Sequence, residues 1–78
     1  MTKDEARRML NREGVRSDAY DIDDRGCDEC LRLVRDGGGW IVYYAERGVR
    51  TGIRDFGGES AALEYLCNRL VRDPTTRR

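Results

Sequence analysis

Histidine is absent from this chain, and proline, lysine, phenylalanine and tryptophan occur once each. Without histidine, the side chain that most often moves protons near neutral pH is missing, and the Cys2His2 zinc set cannot be assembled. Ser17 and Ser60 have no partner base, and the acids fall together in one loop rather than as a held pair, so a non-catalytic protein without cofactor is expected. Net charge is missing too: fifteen basic residues balance fifteen acidic ones. That balance disfavours a general nucleic-acid or membrane-surface binder. No run approaches the roughly 18 apolar residues of a membrane span, and the opening MTKDEARRML has no apolar signal core. Three cysteines are too few and too odd in number for the disulfide framework of a small secreted domain. A cytoplasmic protein with no membrane partner is the resulting expectation.

What is present is a 78-residue chain with 38% hydrophobic and 38% charged residues. That length allows one domain, residues 1–78, with a core of about a dozen side chains and little room for an enclosed cavity. Thr2-Lys3-Asp4-Glu5 reads as a capping box, and Ala6, Met9 and Leu10 follow at helical spacing, with Gly14 placed to end the helix. The spacing predicts a helix over 3–13. Residues 15–29 lack period and are expected to form a long loop tacked down by Tyr20 and Ile22. Cys30–Arg35, Trp40–Ala45 and Val49–Phe56 read as strands joined by Gly-rich turns too short for anything but antiparallel neighbours. Ala62, Leu63, Leu66, Cys67 and Leu70 mark a helix over 59–72, stopped by Asp73-Pro74. Residues 73–78 are expected to fray. The order α-β-β-β-α predicts an α+β fold: a three-stranded antiparallel sheet with both helices packed on one face.

Three motifs suggest chemistry and fall short of it. Cys27-Asp28-Glu29-Cys30 is a single C-x-x-C, whereas a zinc site needs four ligands; Cys67 falls on the buried stripe of the second helix. The thiols are therefore expected to be incidental, with a zinc site shared between two chains as the runner-up and no metal site within one chain. Asp21-Ile22-Asp23-Asp24-Arg25-Gly26 resembles the start of a calcium loop, but Arg25 and Arg32 occupy ligand positions. The element order is also that of double-stranded-RNA-binding domains, yet the second helix opens on Glu59 rather than on basic residues.

The run Gly38-Gly39-Trp40-Ile41-Val42-Tyr43-Tyr44-Ala45-Glu46-Arg47-Gly48, then Phe56, then the Leu-rich helix ending Arg72-Asp73-Pro74-Thr75-Thr76-Arg77, resembles small immunity proteins of bacterial polymorphic and contact-dependent toxin systems. The resemblance spans residues 30–77, and the capped first helix fits it. It implies a partner, the cognate toxin domain, and carries over no contact residues. Those come from charge. Asp18, Asp21, Asp23, Asp24, Asp28 and Glu29 stand against Arg25 alone, a net of −5 in a neutral chain. An exposed single-sign loop beside an aromatic strand suits a cationic visitor. The expected contact surface is Asp21, Asp23, Asp24, Asp28 and Glu29, with Tyr43, Tyr44 and Glu46 beside it. The alternative is a nucleic-acid-binding or regulatory module using Arg50, Arg54, Arg69 and Arg72. A third class is a homodimer formed through the open sheet face or the edge strand.

Overall fold

A computed structural model describes all 78 residues. Helix α1, Lys3–Arg12, begins on the reciprocal cap that the sequence announces: the Thr2 hydroxyl accepts from the Glu5 N–H, and the Glu5 carboxylate accepts from the Thr2 N–H. A 3-10 turn, Ser17–Ala19, leads into strand β1, Tyr20–Asp21, followed by β2, Cys30–Asp36, β3, Gly39–Glu46, and β4, Val49–Phe56. Helix α2, Glu59–Arg72, and a 3-10 turn, Pro74–Thr76, complete the chain.

The sheet is therefore four-stranded and mixed, in the order β1-β2-β3-β4, rather than three-stranded and antiparallel. The added strand is only two residues long and runs parallel to β2, with Tyr20 opposite Leu31 and Asp21 opposite Arg32. Two residues carry no alternation, so hydrophobic pattern cannot signal them. The two hairpins behave as their turns require. Arg47 and Gly48 both take left-handed backbone, φ 52° and 79°, as a two-residue turn matched to strand twist demands. In β4 an extra residue at Gly52, φ 61°, shifts the register between Val42 and Tyr44.

Both helices lie on one face. Ala6 and Leu10 of α1, the α2 stripe Ala62, Leu63, Leu66, Cys67 and Leu70, and Leu31, Leu33 and Val42 of the sheet form a single buried cluster. The opposite face is not simply wet, since Val34, Ile41, Tyr43 and Ala45 make a second buried cluster there. The C-terminal residues, expected to fray, are docked by hydrogen bonds. Arg16 N–H donates to the Thr76 carbonyl at 2.7 Å, Arg78 N–H donates to Gly14 at 2.7 Å, and the buried Thr76 hydroxyl donates to Leu70 at 2.7 Å. These bonds tie the tail to the loop after α1, a long-range pairing that local composition does not encode.

Candidate functional site

The acidic segment is an organised loop laid beside the start of β2, and most of its charge is already engaged. Asp21 is buried, 7% exposed. Its Oδ1 accepts from the N–H groups of Asp23 and Arg25, and its Oδ2 from Gly26 N–H at 2.8 Å and Arg32 Nε at 3.2 Å. Burial alone would raise the Asp21 pKa. The N–H groups of Arg25, Gly26 and Asp23, with the Arg32 charge, outweigh it and hold the carboxyl below its ordinary value. Asp21 is thus the organising centre of the loop, not part of a contact surface.

Asp23 pairs with Arg7 of α1, which also reaches Asp4 at 2.9 Å. Asp24 pairs with Arg32. The Arg32 guanidinium, held by Asp21 and Asp24, donates through Nη1 to the Tyr43 hydroxyl at 2.9 Å. Tyr43 is 1% exposed, with Arg32 5.7 Å and Arg50 4.6 Å from its ring centre. Asp21 and Tyr43, expected to face a partner, are buried and leave that surface; Asp23 is half-buried in its pair with Arg7, and Asp24, although paired with Arg32, keeps its side chain 70% exposed. The protein's own arginines lie within reach of these carboxylates, and the buried Asp21–Arg32 contact is the least screened of the pairs.

The rest of the expected surface divides differently. Asp28 Oδ1 accepts from Arg47 N–H at 2.6 Å and stays exposed. Glu29 and Glu46 are exposed and make no ion pair or side-chain hydrogen bond within the chain. Tyr44, two residues before Glu46, is half-buried on the helix face of β3. Burial raises the Tyr44 pKa, and the negative charges of Glu46, Glu29, Asp28 and Asp73 raise it further. The phenol therefore sits in a negative local field, although Arg16 and Arg69 are also near. Tyr44 and Glu29 line an open cleft of about 380 Å³ with Arg16, Thr51, Arg69 and Asp73, closed on one side by the C-terminal half of α2. Asp73 is occupied as a cap, accepting from the Thr75 N–H and hydroxyl.

Sequence reasoning missed this cleft because α2 and the docked tail supply half its walls, and only the tertiary fold brings Asp73 and Arg69 to Tyr44. The arginines of the alternative reading divide between two rings. Arg50 stacks on Tyr43 on the open face, whereas Arg54 and Arg69 flank Tyr65 of α2, 5.7 and 5.8 Å from its ring centre. Cys27 and Cys30, expected to be incidental thiols, are joined by a disulfide, while Cys67 remains a free buried thiol.

The site so defined is a small polar cleft with a tyrosine wall and an acidic corner. No family model, curated protein or solved structure matches the chain.

Proposed function

We propose that this chain is a non-catalytic binding module that captures a basic segment of a partner protein at the corner formed by Glu29, Tyr44 and Glu46. The carrying observation is that these two carboxylates, of all the acids read as a contact surface, are left without a protein partner while they flank a half-buried tyrosine at a cleft. A tyrosine ring with two free acids suits an incoming arginine or lysine, by cation–π contact and by charge-assisted hydrogen bonds. The resemblance of residues 30–77 to immunity proteins supports the cognate toxin domain as that partner. Toxins acting on nucleic acid carry basic clefts, and an acidic corner presented on a stiff hairpin would occupy one. The test begins with the reading frames beside this chain: a toxic domain encoded there is expected, and growth rescue from its co-expression is then measured. The wild type should protect, and Glu29→Lys with Glu46→Lys together should abolish protection while leaving the fold intact. Undiminished protection by that double variant would remove this corner from the interface.

A further inference from the structure

The disulfide closes a four-residue ring inside the acidic loop, and one of the two residues it encloses is Glu29. Glu29 takes left-handed backbone, φ 54°, a region that residues other than glycine rarely adopt without a constraint. The two sulfurs are unequally placed. Cys30 opens β2 and is 1% exposed, whereas Cys27 is half-buried and lines hollows on both sides of the loop. Neither cysteine belongs to the main core cluster. The turn ahead of them is held independently by Asp21, and Asp28 is tied to the β3–β4 turn through Arg47 N–H.

We propose that Cys27–Cys30 is a thiol–disulfide exchange site, attacked at Cys27 by a low-molecular-weight thiol, and that it acts as a clasp setting the position of Glu29. An incoming thiolate bonds to Cys27 Sγ and the bond between the two protein sulfurs breaks. Cys30 leaves as a thiolate and takes a proton from solvent. A second thiolate then attacks the small-molecule sulfur of the mixed disulfide, freeing Cys27 and giving the oxidised small-molecule disulfide. Two electrons pass from the two thiols to the protein. The direction follows from access: the sulfur that can be reached is attacked, and the sheltered one leaves. A ring this small restrains the unfolded chain little, so reduction opens the loop rather than the domain. Freed of the ring, Glu29 relaxes from its left-handed backbone and leaves the cleft beside Tyr44. The consequence for Glu29 rests on the binding corner described above; the exchange chemistry does not.

The test equilibrates the full chain in glutathione buffers of graded ratio, quenches with acid, and counts alkylated thiols by mass after denaturation. The oxidised chain should carry one adduct, on Cys67, and the reduced chain three. Cys30→Ser, and Cys30→Ala should the serine destabilise β2, should accumulate a glutathione adduct at Cys27; Cys27→Ser should form no adduct at Cys30 in the folded state. In the same samples, the backbone chemical shifts of residues 27–29 should move toward random-coil values on reduction while those of β3 are unchanged. A bridge that never forms at any ratio, an adduct preferring Cys30, or reduction that leaves the Glu29 backbone shifts unmoved would overturn the proposal. These readouts need no partner, so a failed clasp leaves the binding reading standing, and a failed binding reading leaves the clasp.

Discussion

Asp21→Ala should be among the most damaging single changes in the acidic segment, because it removes an acceptor rather than a surface charge. The substitution leaves three backbone N–H groups and Arg32 Nε without their partner. A hydrogen bond to a charged group contributes about 1.5–3 kcal/mol, and a neutral one about 1. Since parts of the loop are exposed and regain water, a net loss of about 3 kcal/mol is expected. A domain of this length has roughly 4–12 kcal/mol in total, so the loss is a large share. Urea unfolding followed through the fluorescence of Trp40, the single tryptophan, would read it as a midpoint lowered by about 2–3 M. The pH dependence has a fixed sign. Folding lowers the Asp21 pKa, so its contribution is complete above the unfolded value of about 3.9 and fades as pH falls through the lower folded value. Wild type should therefore lose stability on acidification below about pH 4, and Asp21→Asn should lose correspondingly less. A loss under about 1 kcal/mol for Asp21→Ala would refute the assignment of Asp21 as the loop's organiser.

Other consequences are equally open to measurement. Thr2→Ala breaks the reciprocal cap of α1 and should cost about 1 kcal/mol in thermal or urea unfolding. Gly39→Ala would place a Cβ 2.8 Å from the Phe56 carbonyl oxygen, a backbone group that cannot swing aside; a loss of about 1–3 kcal/mol is expected. Arg47→Gly relieves a left-handed backbone in the β3–β4 turn and should be neutral or stabilise by up to about 1 kcal/mol, unlike Arg47→Val. Glu29→Gln with Glu46→Gln should move the Tyr44 pKa down toward its ordinary value, read by alkaline titration of the phenol.

Much of the fold was written locally. The Thr2–Glu5 cap, the α2 stripe from Ala62 to Leu70 and the three long strands all follow from short-range pattern, and each lies where its residues put it. What pattern could not supply was pairing at a distance. Strand β1 exists because Asp21 gathers its own loop and sets Tyr20 against Leu31. The tail is ordered because Thr76 and Arg78 meet the backbone after α1. The candidate site shows the same division. Composition revealed a net −5 segment but not that Arg7 of α1 and Arg32 of β2, both outside it, would pair with Asp21, Asp23 and Asp24. Alternation placed Tyr43 and Tyr44 on opposite faces without saying which face would be covered. In the folded chain Arg32 and Arg50 cover Tyr43, and Tyr44 borders the cleft.

The most direct test is an NMR titration of the isotopically labelled chain with the basic partner domain proposed above, an arginine-rich peptide serving as the first probe, followed residue by residue. Binding at the acidic corner predicts the largest amide shifts at Glu29, Tyr44, Glu46 and Thr51, with an affinity that weakens as salt rises. Shifts centred instead on Arg50 and Ile53, or on the Asp23–Asp24 turn, with Tyr44 unmoved, would contradict it.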